Sequence, residues 1–267
     1  MEIESRVARR YDLTDEEGRL WTPGLGDLVR LRTWDIFDRF LPVTGRIIDV
    51  GGGPGAHAAY LAERGYEVVL LDPVEKHIEL AKGRACVSSE WTFEAELGEA
   101  RQLPFDDESC DVVLLMGPMY HLVEAEDRNL ALQEARRVLR PGGRILAEVI
   151  SRFAWVMDSS MKGRLYQPGV FDNLLVNIES GLSKDPTRFT EGEFWGYLHR
   201  PEELRSELGR SGFSDIELVA IEAFGWLLSD LEQRMKTPEA LLRAIRLTEA
   251  EPSMIGCSAH IMAVGVK

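Results

Sequence analysis

The chain has 267 residues, 45% of them hydrophobic, and a formal net charge of −14. That apolar content suffices for a packed core and argues against global disorder. The acidic balance repels phosphate backbones, so no nucleic-acid partner is expected. Cys86, Cys110 and Cys257 lie far apart without ligand spacing, so they read as buried free thiols and no metal site is expected. The first residues lack the basic and apolar regions of a signal peptide, and no apolar run reaches membrane-spanning length. The expectation is a cytoplasmic protein with no membrane partner.

Residues 1–43 read as an N-terminal helical lid. Val29, Leu31, Trp34, Ile36, Phe37, Phe40 and Leu41 form an amphipathic helix that stops before Pro42. Ahead of it, Thr14 and Glu17 are spaced as a capping box. Tyr11, Glu17 and Arg19 are the lid residues placed to reach a ligand.

Next comes the run Ile47-Ile48-Asp49-Val50, then Gly51-Gly52-Gly53-Pro54-Gly55, then a helical stretch from Ala56 to Arg64. Strand, glycine turn and helix make a nucleotide cradle. Glycine permits positive φ and close ligand approach, and the helix start offers free N–H groups. A second strand ends at Asp72, 21 residues after Gly51, with Pro73 and a helix behind it. An acid at that spacing can accept from both ribose hydroxyls.

Trp91–Glu96 alternates and reads as a third strand. In the loop at 98–105 a carboxylate is placed for an adenine amine, with Leu103 over a base face. Asp111–Met116 is a continuous apolar run, as a central parallel strand requires. Ala125–Leu139 reads as a helix stopped by Pro141-Gly142-Gly143, and Arg144–Ile150 as a fifth strand. The alternation predicts a doubly wound parallel sheet over a core at 44–150.

Residues 151–200 are rich in large apolar side chains and read as a helical cap insertion. Its aromatic wall would favour an apolar or aromatic small molecule, and Trp195 or Tyr197 could hold an amine cation. Residues 201–267 carry a helix from Pro201, a strand at 216–221, helix over Leu227–Leu247 and a last strand from His260. The whole of 1–267 is expected to be a single domain.

These motifs together resemble the class I S-adenosylmethionine (SAM)-dependent methyltransferases, in a bacterial small-molecule-type subgroup. Ile48–Gly55, Asp72, Glu99–Phe105, Cys110–Leu114 and Arg137–Gly143 follow in the family's order and spacing; Gly117–Leu122, His199–Leu204 and Ser258–His260 match the subgroup. The resemblance implies a Rossmann-like, seven-stranded α/β sheet of order 3-2-1-4-5-7-6 with strand 7 antiparallel. It implies SAM as cofactor, with S-adenosylhomocysteine as product. Gly51, Gly53 and Gly55 would lie against SAM, and Asp49 would orient its methionine end. Asp72 with Pro73 would hold the ribose, and Glu99 and Ala100 would border the adenine. Met116 and Gly117 would sit beneath the sulfonium, and Arg32 would take the methionine carboxylate.

The function expected is methyl transfer to an oxygen or nitrogen of a small-molecule metabolite, with positioning as the main source of rate. His121, His199 and Tyr11 are the candidate catalytic residues, and His260 is expected to be packed in the core. A homodimer is the expected assembly. The competing readings are a catalytically silent SAM-binding accessory protein and a nicotinamide-dependent oxidoreductase. Pro54 within the turn and Pro141-Gly142-Gly143 argue against the latter.

Overall fold

The computed structural model describes residues 9–11, 16–183 and 194–267. Thr14 of the expected capping box lies outside them. The N-terminal part carries α1 (Glu16–Arg19) and α2 (Leu25–Phe40). The core follows as β1 (Arg46–Val50), α3 (Ala56–Glu63), β2 (Glu67–Asp72), α4 (Glu75–Ala85), β3 (Glu94–Leu97), β4 (Cys110–Leu115), α5 (Pro118–His121), α6 (Ala125–Val138) and β5 (Leu139–Ile150). The cap contains α7 (Ala154–Met161) and α8 (Val170–Ser180). The chain then runs through α9 (Pro201–Arg210), β6 (Ser214–Ala220), α10 (Leu231–Arg234), α11 (Glu239–Arg246) and β7 (His260–Val266).

The seven strands form one sheet of order β3-β2-β1-β4-β5-β7-β6. β1 pairs parallel with β2 and β4, and β7 pairs antiparallel with β5 and β6. The central strands are apolar throughout because both faces are covered. On one face Val113, Leu115, Ile145, Ala147 and Ile261 pack with Leu132 of α6 and Leu208 of α9. On the other, Ile47, Val68, Leu70 and Leu146 pack with Ile36 and Phe37 of α2, Leu61 of α3 and Ile78 of α4. A third cluster joins Leu28, Ile150, Leu198, Trp226 and Ile245, with Trp155, Met157 and Phe194 against it.

Several boundaries differ from the sequence expectation. β3 starts three residues later than Trp91, and β5 begins at Leu139, so Pro141-Gly142-Gly143 lies within a strand-paired stretch. Leu227–Leu247 is not one helix: a 3₁₀ turn at Gly225–Leu227 precedes α10, and Pro238 starts α11 afresh. Cys86 is exposed and Cys257 half-buried, so only Cys110 is a buried thiol. Tyr166 and Phe171 of the cap are exposed and stand outside the cavity at the strand ends. No helix among the described residues is long and apolar enough to cross a membrane.

Candidate functional site

A cavity runs along the C-terminal ends of the parallel strands. Glu99 and Ala100 after β3, Asp72 and Pro73 after β2, Asp49 to Pro54 at β1, Met116 to Pro118 after β4 and Glu148 on β5 form its floor; Tyr11, Arg19 and Leu20 close it from the N-terminal side.

The glycine turn is built for close approach. Gly51 has φ +74°, and a Cβ there would stand 2.7 Å from Pro118 Cδ, so the turn also packs on the start of α5. Gly53 has φ +55°, and no protein atom lies within 4 Å of where its Cβ would be. That space belongs to the cavity. Gly55 plays a different part from the one expected: it does not line the cavity, and a Cβ there would meet Phe93 at 2.9 Å.

Two carboxylates face this turn. Asp72 Oδ2 accepts from the Gly53 N–H at 2.9 Å, while Oδ1 accepts from the Val74 N–H at 2.9 Å and meets His77 Nδ1 at 3.0 Å. It therefore fixes the backbone just ahead of α4 and pins the glycine turn at once. Asp49 is 1% exposed, and among the described residues neither of its oxygens has a hydrogen-bond partner. Burial, with Asp72 nearby, pushes its carboxyl up to about 7. An orphaned buried carboxylate beside a backbone cradle with open space fits a ligand that brings a cationic or N–H donor group, as the methionine amine of SAM does. At the other end, Glu99 Oε2 accepts from the Arg101 backbone N–H and side chain at 2.9 and 3.0 Å. Ala100 is buried in the cavity wall, whereas Leu103 belongs to the core beneath it and covers no base face.

The N-terminal segment reaches the site through Tyr11, whose hydroxyl lies 2.8 Å from His121 Nε2. Both rings line the cavity, and Tyr11 also meets His77 edge-on at 4.9 Å. Burial, reinforced by Arg10, pushes His121 down to about 3, so its imidazole is neutral at ordinary pH.

Arg32 must be reassigned. It lies on the buried face of α2, fully inaccessible, ion-paired to Glu249 and to Asp35 and donating to the Ile221 carbonyl at 3.0 Å. It does not line the cavity. His199 also stands outside: it is fully buried, its Nε2 lies 3.2 Å from Glu207 Oε2, and its ring meets Tyr197 edge-on. The face of Tyr197 is already covered, with the Arg128 guanidinium 3.9 Å from its centroid, so it has no place for a substrate cation.

Among the cavity residues that the sequence reading did not point to are His57, Tyr120 and Glu148. His57, the second residue of α3, receives the Trp34 indole N–H on Nδ1 at 3.2 Å. Indole only donates, so neutral His57 carries its proton on Nε2. Burial, with Arg19 nearby, pushes it down to about 3 and keeps it neutral. Tyr120 lines the cavity beside His121. Glu148 does so from β5, and a lone carboxylate within Ile145–Ile150 was the signal for it. Arg19, flagged with the lid, does face the cavity, held by Glu16 at 2.8 Å.

Comparison with known proteins bears on this geometry. A methyltransferase domain family matches residues 48–147. The chain is 32% identical over 179 residues to a demethylmenaquinone methyltransferase of Clavibacter sepedonicus, covering 66% of this chain and 69% of that one. It is 33% identical over 153 residues to a ubiquinone/menaquinone biosynthesis C-methyltransferase of Rubrivivax gelatinosus, covering 57% and 55%. The chain thus spans about half the length of several curated relatives it matches, 55% of this one and 42% of an uncharacterized methyltransferase of Mycobacterium bovis. In fold it is similar to a SAM-dependent methyltransferase of Methanosarcina mazei, with TM-score 0.59, 20% identity and coverage of 87% and 96%. A second, from Mesorhizobium loti, gives TM-score 0.58, 18% identity and coverage of 90% and 100%. The sheet order, the cradle and the relatives agree, and the chain belongs to the class I S-adenosylmethionine-dependent methyltransferases, the family whose cofactor is SAM.

Proposed function

We propose that the protein transfers a methyl group from SAM to an oxygen or nitrogen of a small-molecule metabolite, releasing S-adenosylhomocysteine. One observation carries the reading: the orphaned Asp49 carboxylate faces the same cavity as the open space at Gly53 and the pinned Asp72. The cofactor supplies an activated sulfonium methyl and its own leaving group, so the chain's task is binding, orientation and exclusion of water.

Each wall residue then has a physical role. Gly51 and Gly53 let backbone approach the cofactor, and Asp72 accepts from ribose hydroxyls while holding the turn. Asp49 pairs with the methionine amine. Arg19 and the Nε2–H of His57 take over the carboxylate role that Arg32 cannot fill, since both face the cavity. Glu99, Ala100 and Pro73 border the adenosine, and Met116 and Gly117 stand at the transfer point. The Tyr11–His121 hydrogen bond latches the N-terminal segment over the cavity and keeps water out. Neutral His121 serves as an acceptor for that hydroxyl and is too weakly basic to be an efficient base.

Calorimetry with SAM and S-adenosylhomocysteine tests the binding half. Labelled SAM with a panel of phenols, amines and demethylated quinols tests transfer; the quinols are included because of the names the relatives carry. Binding of both nucleosides and label in a phenol or amine product is the expected result. No SAM binding at millimolar ligand overturns the reading, and label on a quinol ring carbon alone overturns the choice of O or N.

A further inference from the structure

The cavity extends two strands, β4 and β5, beyond the glycine turn, Asp72 and Glu99. Across its floor the order is β3, β2, β1, β4, β5, and the wall on β5 is Glu148. Glu148 is 7% exposed, and among the described residues no hydrogen-bond donor reaches its carboxylate. A buried carboxylate without a donor costs folding free energy, so its position facing a ligand cavity calls for a functional account.

Behind it stands a second acid and an imidazole. The β5–β7 register puts Glu148 opposite Met262 and Ile150 opposite His260, so Glu148 and His260 are diagonal neighbours on one sheet face. His260 Nδ1 lies 2.5 Å from Glu222 Oε1. Fully buried Glu222 also accepts from Ser258 Oγ at 2.8 Å and from the His260 backbone N–H at 2.9 Å. With Glu222 taking the Nδ1 proton, the second ring nitrogen remains for other partners. The charged and titratable groups around Glu148 are His260, Arg19 and Glu222, with the Tyr120 hydroxyl also close. Burial raises the Glu148 carboxyl while His260 and Arg19 oppose it. Burial would lower His260, but Glu222 and then Glu148 outweigh it and hold it above the ordinary value.

We propose that Glu148 is the acceptor-side acid–base residue of this cavity, that His260 and Glu222 are its positioning residues, and that the acceptor is a small molecule whose nucleophilic oxygen or nitrogen carries a proton. The inference rests on the methyl-transfer reading for its chemistry. The acceptor's lone pair forms the new bond to carbon, the carbon–sulfur pair stays on sulfur, and the acceptor's O–H or N–H proton passes to a Glu148 oxygen. Glu148 then returns it to solvent after product leaves. His260, whose protonated form Glu222 favours, in turn favours the ionised Glu148 that can accept a proton.

Glu148→Gln and His260→Gln test this with three readouts. The His260 ring protons, followed by NMR, titrate above the ordinary histidine range in the wild type and at lower pH in Glu148→Gln. SAM affinity by calorimetry stays within about 2-fold in Glu148→Gln, because the cofactor contacts proposed above are made by other residues. With the best small phenol or primary amine, Glu148→Gln lowers kcat by ~10²- to 10⁴-fold and removes the ascending limb of its pH profile. His260→Gln keeps the limb but moves it to higher pH, since a lost neighbouring cation raises Glu148. An unchanged His260 titration in Glu148→Gln, or wild-type kcat in that variant, overturns the proposal. A wild type that binds no SAM overturns the methyl-transfer reading itself, and the His260 titration still decides whether the pair exists.

Discussion

Asp49 and Asp72 stand at or next to the ends of adjacent parallel strands and face one cavity, yet Asp72 is held by two backbone N–H groups and His77 while Asp49 has no donor among the described residues. The two acids divide the labour: one builds the turn, the other is left open to a donor from a ligand.

Asp49 therefore carries a pH signature. Its carboxyl is pushed from 3.8 up to about 7, so between those values the folded chain holds a proton that the unfolded chain has released. This contribution to stability declines as the pH rises through that window. Asp49→Asn should melt with a flatter dependence on pH over the same range, as calorimetric scans of both proteins would show. SAM should stabilise the wild type more at pH above 7 than below 5, because its amine pairs only with the ionised acid. Asp49→Asn should weaken SAM binding about 10- to 100-fold, the loss of one charge-assisted hydrogen bond.

The two glycines of the turn should separate folding from binding. Gly51→Ala drives a methyl against Pro118 Cδ at 2.7 Å, so it should lower stability by roughly 1–3 kcal/mol. Gly53→Ala meets no protein atom and costs only the strain of positive φ, about 1–2 kcal/mol. Its methyl enters the space assigned to the cofactor, so SAM affinity should fall at least ~10-fold, more than that strain explains. Melting curves paired with SAM titrations check this; a Gly53→Ala protein with wild-type affinity would refute the cradle.

The two arginines make a similar contrast. Arg32→Met leaves Glu249 to Arg39 alone and takes the donor from the Ile221 carbonyl, and should destabilise by roughly 1–3 kcal/mol while leaving SAM affinity in the folded protein unchanged. Arg19→Met removes a cation whose side chain is 48% accessible and whose one ion pair among the described residues is the exposed one with Glu16, so stability should hardly change. SAM affinity should fall about 10-fold instead, as a lost charge-assisted contact does. Chemical denaturation and calorimetry on the two variants decide between the assignments.

Why the sequence misplaced Arg32 and passed over Glu148 has a physical reason. Strand-to-helix signals are local, so Ile47–Val50, the glycine turn and the apolar run at β4 were readable from spacing alone. The strand order beyond that alternation came with the family resemblance. Helical periodicity picked out an apolar stripe on α2 but could not say that Arg32 shares its buried face and reaches the end of β6. Glu148 and His57 become site residues only once β5 lies beside β4 and α3 starts at the cavity. His199 matched a motif, but its partner Glu207, eight residues on, turns it into the fold.

The latch between Tyr11 and His121 makes the last prediction. His121 is pushed down to about 3 by burial and by Arg10, whereas the unfolded chain titrates near 6.5. As the pH falls below 6.5 the unfolded chain takes up a proton that the folded chain refuses, so stability is lost progressively toward pH 3. His121→Gln should lose less stability between pH 7 and pH 5 than the wild type, read as the change in melting temperature. The same low value means that no limb of the activity profile near pH 6.5 belongs to His121. Tyr11→Phe removes only the hydroxyl that reaches Nε2, at a cost of about 1 kcal/mol for one hydrogen bond. That variant should release SAM several-fold faster with little change in melting temperature, because the bond closes a segment over the ligand rather than joining two parts of the core. Stopped-flow release of SAM measures it, and an unchanged rate would remove Tyr11 from the lid.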